Sequence, residues 1–347
     1  MNIINYFKPS IGNKEARAAY NVVKSGNLSS GKITRKFENL FLKKLRTKSK
    51  KSIAVSNCTS ALYTVLNSLN IKEGDEVICP SLSFVADAST IKMLKAKPVF
   101  CDIVSEDNLN QDISDLEKKI TNKTKAIIIM YYAGYPCNLD YLSHLRKKYK
   151  IPIIEDACHA LFSYEKKSYL GTIFDYGVFS FYANKNMTTG EGGMIICNKK
   201  KFDFLKSFRE HSIVDRNYNK LNYKVNELGF NFRLDEIRSS IGIQQLDNIL
   251  INNQIRKKIA LYYLKNLKKY LPFIKIPFEN MIGKKYSYHL FPILLPRKTS
   301  RQKFVRYLKK NGIFVSMHYP PIHKFNFYLS KAPLNKTNDV SKRLISL

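Results

Sequence analysis

Two neighbouring segments of the chain carry side chains that could do chemistry together. In the first, a short apolar run leads into a polar stretch that contains Asp156 and His159. In the second, an aromatic and apolar run reaches Ser180 and is followed by Lys185. Each segment has the pattern of a buried strand that ends in a polar loop, and α/β enzymes bring reactive side chains together at such strand ends. The two segments therefore offer an amine, a carboxylate, an imidazole and a hydroxyl to one site.

These four groups are the ones that pyridoxal phosphate needs from a protein. The amine of Lys185 can form a Schiff base with the cofactor's aldehyde, and the carboxylate of Asp156 can pair with its pyridinium nitrogen. The imidazole and the hydroxyl can bond to the ring oxygen and the phosphate. Taken alone, Asp156 could equally be a helix cap and His159 a buried core residue, so it is the ordered set that predicts the cofactor.

The first predicted helix offers a further phosphate site. Thr59 and Ser60 stand at its start, directly after a strand, where free backbone N–H groups and the helix dipole favour an anion. An ordinary helix cap is the competing interpretation of these hydroxyl groups. Phe84 follows the next strand and could stack on a flat ring, although an aromatic residue at this position is also typical of a core. A glycine-rich loop at 188–193 follows Lys185 closely and allows the backbone to approach a ligand.

Polar residues later in the chain are candidates for substrate binding. Asn231 and Arg233 lead into a long helix and offer an amide and a fixed cation to a phosphate or diphosphate, unless they are simply a solvated helix start. His318, Tyr319 and His323 surround two prolines in a segment that could close over a ligand. Neither a carboxylate nor a cysteine accompanies the two histidines, so no metal site is predicted.

Short strand patterns alternate with helical patterns over the first two thirds of the chain. Apolar, β-branched runs predict strands at residues 52–56, 76–80, 98–102, 126–130, 152–155, 178–181 and 194–197. Helical patterns predict helices at residues 59–69, 85–94, 113–120, 139–149 and 202–210. This alternation predicts an α/β fold with a mostly parallel seven-stranded sheet sandwiched by helices.

The pattern changes after residue 234, where a smaller α+β region begins. Its predicted elements are a long helix at 235–271, a strand at 288–295, a helix at 299–310 and a strand at 313–317. Pro272 ends the long helix. We therefore predict a large α/β domain at 1–245 and a small C-terminal α+β domain at 246–347.

The 347-residue chain has a formal net charge of +32, a property that it shares with nucleic-acid-binding proteins. Its lysines are scattered rather than gathered in a tail or a stripe. Lysines on solvent-exposed helix faces therefore explain the charge better than a nucleic-acid-binding surface does. A polyanionic small substrate also fits this charge. A basic nucleic-acid-binding protein is the least favoured alternative.

The spacing of the cysteines and the hydropathy of the chain indicate the cellular compartment of the protein. The six cysteines show no paired spacing, which favours reduced thiols over disulfides or a zinc site. No secretory signal is apparent at the N-terminus, and the longest apolar run, at 126–133, is too short to span a bilayer. We expect a cytoplasmic protein with no membrane insertion and no nucleic-acid partner.

Several further segments occur in the order and at the spacing of a known family. They are SGNLSSG at 25–31, GDEVI at 74–78, AKPVF at 96–100 and HYP at 318–320. Together with the segments that contain Asp156 and Lys185, they make the chain resemble the DegT/DnrJ/EryC1/StrS family of pyridoxal-phosphate-dependent nucleotide-sugar aminotransferases. The resemblance runs from near the N-terminus into the small domain.

The resemblance implies a role for each matching position. Lys185 would be the Schiff-base lysine and Asp156 the pyridinium partner, which makes these two the catalytic residues. Phe84 would stack on the ring, and His159 would contact its ring oxygen. The implied phosphate ligands are Thr59, Ser60, Ser180 and, from the neighbouring subunit, Asn231. The expected substrate-binding residues are Arg233, His318, Tyr319 and His323.

The resemblance also implies the fold-type I aminotransferase fold and a homodimer with shared active sites. The amino donor would be glutamate, and the acceptor would be a keto sugar of a nucleoside diphosphate, often a 4-keto-6-deoxy sugar. The product would serve surface polysaccharide or glycan biosynthesis. The segment at 131–137 is most similar to members that act at C4 of the sugar.

Two features depart from the family pattern. Cys58 stands where many members have glycine, and the chain ends at Leu347, where relatives continue with more of the small domain. A truncated, inactive cofactor-binding homologue is therefore one alternative. A sugar 3-dehydratase of the same family is another, although those enzymes carry histidine at the position of Lys185.

Overall fold

The structure is a computed structural model that describes residues 3–217 and 222–347. Within these residues, a central seven-stranded sheet and three two-stranded pairs make up the β-structure. The strands in the described residues are β1 (Lys50–Val55), β2 (Glu76–Pro80), β3 (Lys97–Cys101), β4 (Thr124–Met130), β5 (Ile153–Asp156), β6 (Tyr164–Glu165), β7 (Ser168–Tyr169), β8 (Tyr176–Ser180), β9 (Gly193–Asn198), β10 (Ile213–Asn217), β11 (Asn222–Val225), β12 (Pro292–Leu294) and β13 (Leu344–Ser346).

Seven of these strands form the central sheet in the order β1-β9-β8-β5-β4-β2-β3. Strand β9 runs antiparallel to both of its neighbours, and the other pairs in the sheet are parallel. Strand β5 is buried along its whole length and β4 along nearly all of it, as expected when helices cover both faces of a parallel sheet. The predicted α/β architecture, with seven mostly parallel strands, is confirmed.

Helices cover both faces of this sheet and extend into the C-terminal part. They are α1 (Asn13–Ser25), α2 (Lys32–Lys44), α3 (Cys58–Ser68), α4 (Ala86–Met93), α5 (Ile113–Lys118), α6 (Leu139–Tyr149), α7 (Lys199–Phe208), α8 (Glu236–Tyr270), α9 (Arg301–Lys310) and α10 (Asn335–Arg343). The predicted helices are confirmed as α3 to α9, whereas the sequence patterns did not predict α1, α2 or α10. Within the described ranges, no helix is both long and apolar enough to cross a membrane.

The start of α2 depends on a side chain from a distant part of the chain. Glu236, the first residue of α8, accepts hydrogen bonds from the backbone N–H groups of Ile33 (3.1 Å) and Thr34 (2.9 Å). These N–H groups belong to the first turn of α2, where no partner within the helix exists. Because the capping residue lies 203 positions after Ile33, local sequence patterns give no sign of it.

Aromatic side chains fill the space between α2 and the sheet. Phe41 is fully buried, and its ring centroid lies 5.2 Å from that of Phe179 and 5.6 Å from that of Phe181. Phe37 and Phe162 pack around the same ring. Contacts of this kind combine burial of a large apolar area with favourable edge-to-face geometry, so this cluster attaches α2 firmly to the sheet that carries the site.

The strands of the C-terminal part differ from the prediction. The strand predicted at 288–295 extends only over β12, which pairs antiparallel with β13. The prediction of a strand at 313–317 is wrong. Ile313 forms a single bridge to Ile4, and Ser316 forms a single bridge to Ser346. Because two different partners hold this segment at one point each, no continuous ladder develops.

Helix α8 connects the two parts of the chain. It packs against α1 and α2, and Tyr263, Leu264 and Leu267 pack against an apolar group that includes Ile293 and Leu344. The proposed boundary between residues 245 and 246 falls inside this helix. The division into a large and a small domain stays a prediction.

Replacing Phe41 should destabilise the protein strongly. We expect Phe41→Ala to lower the free energy of unfolding by about 3–5 kcal/mol, because it removes a buried ring and leaves a cavity. Denaturant unfolding followed by circular dichroism measures this loss. Tyr307→Ala on the exposed side of α9 is the control, with an expected change within about 0.5 kcal/mol. Equal losses in the two variants would contradict this account of the core.

Candidate active site

A cavity of about 570 Å³ lies at the carboxyl-terminal edge of the central sheet. Small-molecule sites typically have volumes of about 300–1,000 Å³. Residues expected to hold or react with the cofactor line it, namely Thr59, Phe84, Asp156, His159, Ser180 and Lys185. His318 and Tyr319, which were expected to bind substrate, line it as well. The structure thus brings residues from distant parts of the chain to one place.

Parallel pairing of the central strands sets the position of Asp156. This residue ends β5 and lies opposite Met130 on β4 and Val178 on β8. Ser180 ends β8 two residues further along. Since parallel strands end at the same edge of a sheet, the side chains at these ends meet in the cavity.

Gly193 allows strand β9 to pass close to the start of α3. A Cβ atom on this residue would lie 2.7 Å from the backbone carbonyl of Asn57 and 2.9 Å from the backbone nitrogen of Cys58. The Asn57 side chain caps the helix by accepting a hydrogen bond from the N–H of Ser60 at 2.8 Å. The first N–H groups of a helix have no partner within it, so the first turn of α3 can receive an anion such as a phosphate.

Asp156 carries a buried carboxylate. Only 6% of the residue is exposed, and its Oδ1 accepts a hydrogen bond from the backbone N–H of Cys158 at 2.9 Å. Burial raises the pKa of Asp156, while that hydrogen bond and the charge of Lys185 act in the opposite direction. A cation brought beside this carboxylate would stabilise its charged form.

The loop that carries Lys185 is anchored through the next residue. The Nδ2 of Asn186 donates hydrogen bonds to the side chain of Asn253 (2.8 Å) and to the backbone carbonyl of Ser287 (2.7 Å). Its Oδ1 lies 2.9 Å from Nδ1 of His289. These buried contacts restrict the loop, so the half-buried amine of Lys185 is presented from a defined backbone position.

His159 and Tyr319 form a hydrogen-bonded pair in the cavity. The backbone N–H of Ala133 donates to Nδ1 of His159 at 3.3 Å, so the proton of the neutral ring belongs on Nε2, which donates to the Tyr319 hydroxyl at 2.7 Å. Burial lowers the pKa of His159 well below its usual range, with smaller contributions from nearby positive charge. The ring is therefore neutral, and it reaches a ligand either directly or through Tyr319.

His318 forms part of the wall that the C-terminal region contributes. Its Nδ1 lies 3.1 Å from the hydroxyl of Ser346 on β13, and the hydroxyl of Tyr132 donates to its backbone carbonyl. Burial lowers the pKa of His318 to about 4. The side chain is consequently a neutral hydrogen-bonding group at neutral pH.

The structure leaves four of the predicted residues outside the cavity lining. The Ser60 hydroxyl is engaged by Ser56 (2.9 Å) and by the side chain of Asn57 (3.0 Å). The two ring nitrogens of buried His323 bond to Ser81 (2.6 Å) and Asn338 (3.1 Å), which suits a structural role better than substrate binding.

Asn231 and Arg233 lie on the segment that leads to α8. Asn231 is exposed, and Arg233 is half-buried beside Val55, with which it forms a backbone bridge. The expectation for Asn231 concerns a neighbouring subunit, so its role stays a prediction.

Two buried groups at the cavity were not assigned a role from the sequence. Asp87 is 1% exposed; its Oδ2 accepts a hydrogen bond from the Ser83 hydroxyl at 2.5 Å, and its Oδ1 has no partner among the described residues. Burial and the nearby carboxylate of Asp156 raise the pKa of Asp87 well above its usual range. Asn184 also has a buried side-chain oxygen without a partner in this part of the chain. An acid in the first turn of a helix after a strand was the only sequence signal for Asp87.

The residues of the cavity fit pyridoxal phosphate. They include an amine (Lys185), a buried carboxylate suited to a cationic ring nitrogen (Asp156) and an exposed aromatic ring (Phe84). The open first turn of α3 is suited to the phosphate. The unpartnered oxygens of Asp87 and Asn184 indicate that a polar ligand would complete the hydrogen bonding of this cavity.

Comparison with known proteins identifies the family. The family model for DegT/DnrJ/EryC1/StrS aminotransferases matches residues 9–347. The chain belongs to this family. The resemblance noted from the sequence is thereby confirmed, and family membership implies pyridoxal phosphate as the cofactor.

Individual relatives act on nucleotide-linked sugars. GDP-perosamine synthase of Escherichia coli O157:H7 is 32% identical over 333 residues, which cover 95% of this chain and 88% of that protein. A UDP-4-amino-4,6-dideoxy-N-acetyl-beta-L-altrosamine transaminase of Helicobacter pylori is 32% identical over 350 residues, covering 99% and 91%. The solved structure of Spr1654 from Streptococcus pneumoniae in its PLP form has a TM-score of 0.91 at 25% identity, covering 100% of this chain and 93% of that one. The aminotransferase fold predicted for the chain is confirmed.

Acidification should destabilise the protein in part through His318. A histidine whose pKa is lower in the folded than in the unfolded chain binds fewer protons when folded, so falling pH favours unfolding. This loss begins near the ordinary pKa of 6.5 and continues to the folded value of about 4. The free energy of unfolding should fall between pH 7 and pH 4 in both proteins. In His318→Asn, which lacks the titrating ring, we expect this fall to be smaller than in the wild type by up to about 3 kcal/mol. Denaturant unfolding at both pH values measures this, and an identical pH dependence in the two proteins would contradict it.

Proposed function

We propose that this protein is a pyridoxal-phosphate-dependent aminotransferase that moves an amino group from glutamate to a keto sugar of a nucleoside diphosphate. The product would enter surface polysaccharide or glycan biosynthesis. The observation that carries the proposal is that the Lys185 amine and the buried Asp156 carboxylate line one cavity, at the strand ends where this family's fold is expected to hold its cofactor.

Each part of the cofactor has a candidate partner in the cavity. Asp156 would pair with the ring nitrogen, and Phe84 would cover the ring. Thr59, Ser180 and the first turn of α3 would hold the phosphate. His159 would reach the ring oxygen, directly or through the hydroxyl of Tyr319.

Lys185 would carry the proton transfers of both half-reactions. When bound, pyridoxal phosphate supplies an aldehyde that takes up the amino group and a ring that accepts negative charge from the substrate carbon. Lys185 Nζ would remove a proton from the α carbon of glutamate, and a water molecule would supply the keto oxygen of the 2-oxoglutarate that leaves while the nitrogen stays behind. In the second half-reaction, Lys185 would deliver a proton to the sugar carbon, whose keto oxygen departs as water. A positioned acid–base group of this kind typically contributes about 10²–10⁴-fold to the rate.

His318, Tyr319 and Arg233 are the proposed substrate contacts. His318 and Tyr319 stand in the wall formed by the C-terminal part, where their polar atoms can meet a sugar. Arg233 offers a fixed cation for the diphosphate. Because His318 and His159 are neutral, they would donate and accept hydrogen bonds without adding charge beside Lys185.

A 4-keto-6-deoxy sugar is the favoured acceptor. The Helicobacter pylori relative is named for a 4-amino-4,6-dideoxy product, and the segment at 131–137 resembles family members that act at C4. In this chain that segment lies beside the cavity, where the Tyr132 hydroxyl bonds to the backbone of His318. The sugar 3-dehydratases of this family carry histidine at the position of Lys185. The lysine in this chain therefore disfavours the dehydratase alternative.

A cytoplasmic homodimer is the proposed assembly. Large apolar side chains are exposed around Asn231, with exposed fractions of 63% for Tyr223, 55% for Val225 and 90% for Leu228. Contiguous exposed apolar patches mark protein contacts, and we infer that these side chains, which are close in sequence, form such a patch. A second copy that covers them would bring Asn231 towards the partner's cavity. The unpaired spacing of the six cysteines in the sequence favours reduced thiols and hence a reducing compartment.

Removing the amine tests the proposed function directly. We expect Lys185→Ala to abolish turnover of glutamate and keto sugar and to lose the yellow colour of the bound cofactor, while its circular dichroism stays like that of the wild type. Lys200→Ala, at an exposed position on α7, is the matched control and should keep both properties. Wild-type turnover by Lys185→Ala would overturn the proposal.

A panel of nucleotide sugars tests the acceptor. With glutamate as donor, we expect amination of 4-keto-6-deoxy sugars and little product from 3-keto sugars, measured by mass spectrometry of the amino sugar and by formation of 2-oxoglutarate. Preferential amination at C3, or loss of water without amination, would contradict the assignment to C4.

A further inference from the structure

Two cysteines from distant parts of the chain meet in the wall of the cavity. Cys58 is the first residue of α3, and Cys158 follows the end of β5 by two residues. Their sulfur atoms lie 3.0 Å apart, with the Cys158 thiol donating to the sulfur of Cys58. Both side chains line the cavity. The contact therefore joins the helix start suited to phosphate with the loop that follows Asp156.

Ordinary core packing does not account for this pair. Cys79, Cys101, Cys137 and Cys197 are all buried, as is usual for structural thiols. Cys58 and Cys158 are instead half-buried, so a small solute that enters the cavity can reach them. Among the described residues, they are the cysteines that combine access from a cavity with a neighbouring thiol.

We propose that Cys58 and Cys158 are an oxidation site at which hydrogen peroxide converts the two thiols into a reversible disulfide. One sulfur attacks the peroxide oxygen, which forms a sulfenic acid and releases water. The second thiol then attacks the sulfenic sulfur, forms the S–S bond and releases another water. With hydrogen peroxide, two thiols lose two electrons and two protons, and the oxidant is reduced to two water molecules.

Cys58 is the attacking sulfur. It stands at a helix N-terminus, which favours a thiolate, and it accepts the hydrogen bond from Cys158. That hydrogen bond and the charge of Lys185 lower the pKa of Cys58, but burial and the carboxylates of Asp156 and Asp87 raise it overall. Burial also raises the pKa of Cys158 well above its usual range. Oxidation should therefore be slow at neutral pH and faster at alkaline pH.

Closing the disulfide would change the cofactor site, a consequence that rests on the proposed function. The Cys58 backbone belongs to the helix start suited to phosphate, and the backbone N–H of Cys158 holds the carboxylate of Asp156. A disulfide bond is shorter than the present 3.0 Å contact between the two sulfur atoms. Forming it would draw the start of α3 and the loop after β5 together and displace both. A bound cofactor would in turn shield the thiols, so oxidation should belong to the cofactor-free protein.

Mass spectrometry of the wild-type protein tests the pair without any variant. The cofactor-free protein is treated with hydrogen peroxide and a chelator, since the two sulfurs and an Asp156 oxygen lie within 4.8 Å of one another and could otherwise bind a metal. We expect an intact mass lower by two hydrogen atoms, a proteolytic peptide that links Cys58 to Cys158, and full reversal by dithiothreitol. Separate oxidation of each sulfur, or thiols that stay unlinked at alkaline pH, would overturn the proposal.

Variants assign the crosslink to these two residues. Cys58→Ser and Cys158→Ser should each prevent it, whereas Cys137→Ala, which alters a buried thiol elsewhere, should form it like the wild type. The same crosslinked mass in Cys58→Ser would contradict the assignment.

Cofactor binding separates this inference from the proposed function. The oxidised protein should bind pyridoxal phosphate about tenfold more weakly than the reduced protein, with recovery after dithiothreitol, and prior saturation with the cofactor should prevent the crosslink. A reduced protein that binds no pyridoxal phosphate would overturn the proposed function but leave the disulfide standing. A disulfide that forms without weakening binding would refute the effect on the site.

Discussion

Asp156 ends a central strand in surroundings that almost exclude water, and a charge there raises the free energy of the folded state unless a cation lies beside it. The rest of the site is arranged around this carboxylate. The backbone N–H of Cys158 fixes its orientation, and Lys185 adds positive charge to the same cavity. In the proposed function, a protonated pyridine ring is the planar cation that would offset this cost, with Asp156 at its nitrogen and Lys185 at its opposite end.

Contacts between distant parts of the chain hold the cavity in shape. Gly193 allows β9 to lie against the turn before α3, and Asn186 ties the loop of Lys185 to residues of α8 and the C-terminal part. Glu236 caps α2 from the start of α8. Each contact joins segments more than 60 residues apart, so the shape of the cavity depends on how the sheet, α8 and the C-terminal part pack together.

The sequence predicted the features that depend on local patterns. Alternating apolar strands and helices predicted the central sheet, and the segments around Asp156 and Lys185 were predicted to meet, as they do in the lining of one cavity. Features set by distant partners were missed or wrong, as in the cap of α2 by Glu236 and in the segment at 313–317, whose two bridges have different partners. The contacts of His323 and the meeting of Cys58 with Cys158 belong to the same class, because nothing near these residues in the sequence indicates their neighbours.

Covalent trapping tests the central claim most directly, namely that Lys185 and Asp156 hold the same cofactor molecule. The purified protein is incubated with pyridoxal phosphate, the linkage to protein amines is fixed by borohydride, and the modified peptide is identified by mass spectrometry. We predict modification of Lys185 alone at low cofactor concentration, and much weaker modification when Asp156 is replaced by alanine. Modification spread over other lysines, or labelling of Lys185 that does not depend on Asp156, would contradict the claim.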